Sequence, residues 1–329
     1  MPPVIPLPTF GAGGSAATVV QDVERWVSSD PIRDLAARFG GTVDISSPLK
    51  TKLDGLLELS SRRWDFRAGR ERAEAIQPVF DSETAELVVR AAVDLGLARD
   101  TWPRFDQYDH VVVLGGLFRT CLARTRYAAR LLERGVVAAA VTALGGFRPL
   151  TAAETETQVQ GTASSGFDFE IDALVAGLAE AFTVDEIESV KTGGDPAVDP
   201  NRAWSVTTLK SGDDIALKAV AAPSSQPEVR RADTADTIRF WVEQVASLRS
   251  SDRVLVVTSP IYVPFQHCDA IRTIGIPFGA GVDTVGLRAD WLPRSSVPHS
   301  SAPARYLQEI RSTLLSMSRL VTAIEAAEA

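Results

Sequence analysis

The chain has 329 residues, 45% of them hydrophobic, and a formal net charge of −8. That apolar content permits a sizeable core and excludes general disorder, and the negative balance argues against nucleic acid as a partner. The two cysteines, Cys121 and Cys268, and the three histidines, His110, His267 and His299, have no metal-ligand spacing, so neither a metal site nor a disulfide framework is expected.

The proline-rich Met1–Phe10 lacks a basic segment followed by an apolar run and does not read as a signal peptide. No run of 18 apolar residues occurs, so no membrane association is expected, and free cysteines fit a reducing, cytoplasmic setting.

In chain order, Ala16–Val27 carries apolar residues at Ala17, Val20, Val23 and Trp26, a helical spacing. Asp30-Pro31 restarts a helix, with Asp30 as N-cap, that ends at Gly40-Gly41. Ser47-Pro48 opens another through about Arg63, and Ser82–Leu95 is a fourth, stopped at Gly96. Residues 1–106 therefore form an N-terminal helical region, read either as a cover for the core or as a lid over a pocket. The run Arg62, Arg63, Arg67, Arg70 and Arg72 suits both readings, because Asp65, Glu71 and Glu74 alternate with it.

Residues 107–290 read as the α/β core. Tyr108–Leu114 is a buried strand entering Gly115-Gly116, Thr120–Arg134 a helix stopped by Gly135, and Val136–Val141 a second buried strand ending at Leu144-Gly145-Gly146. Thr151–Gly166 is a loop or weak helix start, Phe169–Phe182 a helix, and Asp185–Val190 a short strand. Trp204–Leu209 and Ile215–Ala221 flank Ser211-Gly212-Asp213-Asp214 as a hairpin. Thr234–Leu248 is a helix, Arg253–Thr258 the third strong strand, Pro264–Ile274 a helix and Gly275–Val285 a further strand. In residues 291–329, Ala302–Ala327 is a long helix expected to pack on the sheet. The alternation predicts an α/β fold: a Rossmann-like, mostly parallel sheet with helices on both faces.

Ligands of such sheets bind outside the carboxyl ends of the strands. Gly115 and Gly116 allow close backbone approach there, and the following helix start offers N–H groups to an anion. Arg119 and Arg124, in or beside the first turns of that helix, either hold a carboxylate or phosphate or pair with surface acids. Gly145 and Gly146 end the neighbouring strand, with Arg148 close by, and either complete the site or form an ordinary turn. Glu154, Glu156 and Glu170 follow as candidate bases or ribose ligands. Arg231, Thr234 and Asp236 crowd the start of a later helix, where capping alone explains one of Asp233 and Thr234. Thr258 and Ser259 end the third strand, and Tyr262, Gln266 and His267 follow. Ser259 has no GxSxG context, and a lone His267 on a helix is more often structural than catalytic.

Taken together, these segments resemble a bacterial domain family of unknown function that includes the SanA and YdcF envelope-related proteins. The resemblance rests on Val111–Gly116, on Arg124, Ala128, Leu131 and Gly135 in an R-x-x-x-A-x-x-L-x-x-x-G helix, and on Gly145-Gly146. It continues through Thr234-Ala235-Asp236-Thr237 against T-x-E-N and Val257-Thr258-Ser259 against V-T-S-x-x-H-x-x-R. The family histidine falls on Tyr262 and the family arginine on Phe265. The resemblance implies a polar pocket at the carboxyl edge and S-adenosylmethionine or another nucleotide as ligand.

The expectation is an enzyme of group transfer or hydrolysis, in a specialised biosynthetic pathway, on a small anionic or nucleotide-like metabolite. Tyr262, Asp236 and Glu170 would handle protons, and Gly115, Gly116, Arg119, Arg124, Gly145, Gly146, Arg231, Thr234, Thr258, Ser259 and Gln266 would bind. The alternatives are a ligand-binding or regulatory protein without turnover and an S-adenosylmethionine-dependent methyltransferase. The latter lacks a G-x-G-x-G loop.

Overall fold

The apolar runs of the sequence become the centre of one seven-stranded sheet. A computed structural model describes residues 5–66, 78–154, 166–184, 186–212, 215–291 and 302–328. The strands are β1 (Gln107–Leu114), β2 (Val137–Gly145), β3 (Ile187–Gly193), β4 (Trp204–Leu209), β5 (Ala216–Ala221), β6 (Arg253–Thr258) and β7 (Gly281–Gly286). Their order is β3-β4-β5-β2-β1-β6-β7. The five from β5 to β7 are mutually parallel, and the hairpin partner β4 and then β3 add antiparallel strands on one side. The chain winds outward from β1 to β2 and β5, then crosses back to β6 on the other flank of β1. That reversal makes the carboxyl ends of β1 and β6 the switch point of a doubly wound sheet, where the topology places a crevice in folds of this kind.

Both faces of the central strands are covered, which is why they read as unbroken apolar runs. Val111, Val113, Leu255 and Val257 pack under α5 (Phe118–Glu133) and α6 (Glu170–Ala181). Val112, Leu114, Val254 and Val256 join a second core with α7 (Thr234–Gln244) and α8 (Val263–Ala270). That core also takes in α1 (Ala16–Val27), α2 (Asp30–Arg38), α3 (Leu49–Arg63), α4 (Ser82–Asp94) and the C-terminal α9 (Pro303–Glu328). The α9 helix differs from expectation in its seat. It packs chiefly on α8, α3 and α4, so α8 separates it from the sheet and the N-terminal helices lie beyond as an outer layer.

Several boundaries shift for local reasons. Ser29, not Asp30, is the N-cap of α2, and Asp30 takes the first helical position. After α8 the chain continues as a π-helical turn, Ile271–Gly275, and a short helical turn over Ile276–Phe278. Gly279 closes that turn at φ 72°, in the left-handed region open to glycine, so β7 starts only at Gly281. Arg67, Arg70, Arg72, Glu71 and Glu74 of the interleaved run, Glu156 and His299 lie outside the described residues.

The outer side of β7 is covered by chain from far away. Phe10 bridges Val282, the Gly13 N–H donates to Gly279 O at 2.8 Å, and the Gly286 N–H reaches Thr101 Oγ1 at 2.7 Å. His267 secures this arrangement: its ring nitrogens lie 2.9 Å from Thr284 Oγ1 and 2.7 Å from the Pro8 carbonyl oxygen. Burial holds its pKa down at about 4, the Pro8 bond notwithstanding. Its role is the bland one, a core histidine satisfied on both nitrogens.

Candidate functional site

At the switch point the β1 strand ends, the chain passes Gly115-Gly116, and α5 brings Arg124 back beneath the turn it has just left. The Arg124 guanidinium is buried. It donates through Nη1 to Leu114 O at 2.8 Å and to Gly115 O, and through Nε and Nη2 to Ser259 Oγ at 3.3 and 3.1 Å. Ser259 directly follows the last residue of β6, so one side chain ties the ends of the two strands together. The turn after Ser259 places the Tyr262 ring 5.7 Å from the Arg124 guanidinium carbon. The Tyr262 hydroxyl accepts from Arg305 Nη2 of α9 at 2.7 Å. Thr258 Oγ1 donates to Gln266 Oε1, and Gln266 Nε2 donates to Thr234 Oγ1 at 3.2 Å, which joins the start of α7 to the same edge. Arg124, Thr234, Thr258, Ser259, Tyr262 and Gln266 are thus brought together from four elements.

On the β2 side of β1 lies a different arrangement. Arg148, after Gly145-Gly146, donates to Glu154 Oε2 at 2.9 Å, to Glu170 Oε2 at 3.0 Å and to Gly116 O at 2.8 Å. Its backbone carbonyl in turn accepts the Glu170 N–H at 2.9 Å, which sets Glu170 at the first position of α6. Glu154 accepts the Phe118 N–H at 2.8 Å, so the N-terminus of α5 already holds a carboxylate supplied by the chain. Burial alone would raise the Glu154 pKa, but hydrogen bonds from Arg148 and from the Thr151 and Phe118 N–H groups overcome it and hold it at about 2. Glu170 goes the other way: burial raises its pKa against the pull of Arg148, Arg231 and Arg124. The two glycines beside it now have a physical reason. A Cβ on Gly115 would run into Glu170 Oε1, and one on Gly145 would come within 2.7 Å of Leu174 Cδ1 and 3.3 Å of the same oxygen.

The remaining candidates lie apart from these two groups. Arg119 is exposed on the first turn of α5, and Arg231 is exposed, its charge felt by Glu170. A Cβ on Gly146 would make only ordinary van der Waals contacts, with Ala222 O at 3.7 Å and the Ala232 Cβ at 3.8 Å. Asp236 is engaged as the reciprocal half of a capping box with Asp233 and by Arg230 Nη1 at 2.5 Å. Burial raises its pKa, and the bonds from Arg230, Ser225 and the Asp233 N–H outweigh that and lower it. Arg305 escaped the sequence reading, since an arginine at the start of an amphipathic helix carries no local signal. Two shallow hollows lie elsewhere: one at the amino ends of β1 and β2, lined by Gln107, Asp109, Val137 and Arg253, the other along β3 to β5.

Comparison with known proteins places residues 10–96, the stretch that holds α1 to α4, in match with the Rv3785 N-terminal domain. The chain is 29% identical to the uncharacterized protein Rv3785 of Mycobacterium tuberculosis and to the uncharacterized protein Mb3814 of Mycobacterium bovis. Each alignment spans 99% of this chain and 96% of the relative. No solved structure matches the chain. These matches overturn the resemblance to the SanA and YdcF proteins. The short glycine, arginine and V-T-S motifs that suggested it are what any doubly wound sheet places at its strand ends, and the positions assigned to a family histidine and arginine lose that meaning. Among the described residues no helix is long and apolar enough to cross a membrane.

Proposed function

We propose that the carboxyl edge at β1 and β6 binds a small anionic or nucleotide-like metabolite, and that the protein is a cytoplasmic enzyme of group transfer or hydrolysis, serving a specialised biosynthetic pathway. The observation that carries this reading is the buried Arg124 guanidinium bridging the β1 carbonyls to Ser259 at the switch point. A cation at that position favours an anionic group in the crevice. Thr234, Thr258 and Gln266 supply polar contacts along the same edge. Glu170, whose burial favours the protonated carboxyl, is suited to give up a proton, and the Tyr262 hydroxyl to donate a hydrogen bond.

A second reading, binding without turnover, draws support from Glu154 and Asp236. Both carboxylates are committed to helix starts and arginines, and Glu170, although burial favours its protonated form, is itself bonded to Arg148. Calorimetric titration and thermal unfolding with inorganic phosphate, adenosine monophosphate and S-adenosylmethionine test the proposal. A true ligand at 100 times its Kd stabilises by about 2.7 kcal/mol. Absence of heat and of stabilisation with every probe ends the reading. Tyr262→Phe then separates the two versions: retained affinity with lost turnover marks the enzyme, and tight binding with no turnover in either form marks the sensor.

A further inference from the structure

Arg305 stands in the first turn of α9 and donates to the hydroxyl of Tyr262, whose ring lies near Phe265 and the Arg124 guanidinium. Tyr262, Arg124 and Ser259 are buried, and Arg305 is half-buried, so it is the member of this group that reaches solvent. Several arginines of this edge and of α9 have carboxylate partners: Arg148 has Glu154 and Glu170, Arg230 has Asp233 and Asp236, and Arg311 has Asp65. Among the described residues Arg305 has no carboxylate within ion-pair distance. Its acceptor is a phenol oxygen, and its Nε–H is buried without a hydrogen-bond partner. Leaving a donor of a charged group buried and unbonded is costly, and an incoming acceptor removes that cost.

Ser259 adds a second unused donor. Its Oγ accepts from both Nε and Nη2 of Arg124, so its own proton points elsewhere, and no described residue receives it. The two donors are linked through Tyr262 and Arg124: Arg305 bonds the Tyr262 hydroxyl, Ser259 bonds Arg124, and the Arg124 guanidinium carbon lies 5.7 Å from the Tyr262 ring. Two guanidinium groups with a hydroxyl proton between neighbours suit an oxyanion, and the guanidinium fork matches carboxylate and phosphoryl oxygens.

We propose that Arg305 is an oxyanion-binding residue of the β1/β6 edge, receiving with Ser259 the phosphoryl or carboxylate group of the metabolite; this rests on the reading that the edge binds an anionic ligand. The test is calorimetric titration of the full chain, and of its Arg305→Gln, Arg305→Lys and Arg119→Gln variants, with inorganic phosphate, adenosine monophosphate and S-adenosylmethionine. Adenosine monophosphate offers a phosphoryl group without a carboxylate, and S-adenosylmethionine the reverse, so the preferred probe names the group bound. For whichever probe the unmodified protein binds, Arg305→Gln is expected to weaken Kd at least tenfold, Arg305→Lys to fall between, and Arg119→Gln to change nothing. A Kd for Arg305→Gln within twofold of the unmodified protein overturns the role of Arg305 and leaves the ligand reading standing. Failure of the unmodified protein to bind any probe ends both. If Arg305→Gln does not fold, Arg305→Lys decides: it keeps the charge and loses the fork, and an unchanged Kd overturns the proposal.

Discussion

Arg148 and Arg124 flank the end of β1, each with little contact with water, and each is satisfied by different chemistry. Arg148 is clamped by two carboxylates and the Gly116 and Pro149 carbonyls, in a unit whose donors and acceptors answer one another. The bonds that hold Arg124 at the crevice run to the Leu114 and Gly115 carbonyls and the Ser259 hydroxyl, groups that bear no formal charge. The first arrangement is a lock for the α5 and α6 helix starts. The second ties the ends of β1 and β6 together through hydrogen bonds, and its charge is also felt by Glu170.

The comparison breaks most visibly at Arg148. Arg148→Ala leaves Glu154 and Glu170 buried together with no cation between them, and a loss of about 3–5 kcal/mol is expected in denaturant unfolding. A loss under about 1 kcal/mol would mean that the carboxylates find water, and the lock is not one. The pH axis sharpens the contrast next. The Glu154 pKa is held at about 2, so its contribution is complete above the unfolded value near 4.5 and fades as pH falls toward 2. Glu170 is raised in the fold, so its contribution is complete below 4.5 and is lost as pH rises through its folded pKa. His267, far from both, is depressed to about 4, so stability drops by roughly 3 kcal/mol between pH 6.5 and 4 as the unfolded chain takes up a proton that the folded one refuses. Urea unfolding at a series of pH values should show the upper slope vanish in His267→Gln and the lower slope shrink in Glu154→Gln. The smallest effect separates two glycines of similar sequence context. Gly115→Ala meets Glu170 Oε1 and should cost about 2 kcal/mol, and Gly146→Ala, which meets only ordinary van der Waals contacts, should stay within about 0.5 kcal/mol. Equal losses at the two positions would show that Glu170 swings aside.

Much of the sheet was legible in the sequence because strand signals are local. The runs Val111–Leu114 and Val254–Val257, the turn pattern of the β4–β5 hairpin and the Gly135 stop each carry their own evidence within ten residues. The strand ends then followed from topology, and with them the meeting of Arg124, Thr234 and Ser259. Partners were not legible, because they are set by tertiary distance. Nothing near Glu154 announces that its carboxylate returns to the Phe118 N–H, nothing near His267 announces Pro8, and nothing near Tyr262 announces Arg305. The seat of α9 failed for a related reason: an apolar stripe says that a helix face is covered and not what covers it.

The strip of chain from Pro8 to Gly13 along β7 has a bearing on solubility. With that margin shielded, a neighbouring molecule can add a strand only along β3, where the bulge between Ile187 and Ser189 and the charges of Glu188 and Lys191 spoil the template. Shearing away the first dozen residues would free the Val282 N–H on β7 but leave the Thr284 N–H on Asp283 and the Gly286 N–H on Thr101, so the margin would open to a neighbour's strand only in part.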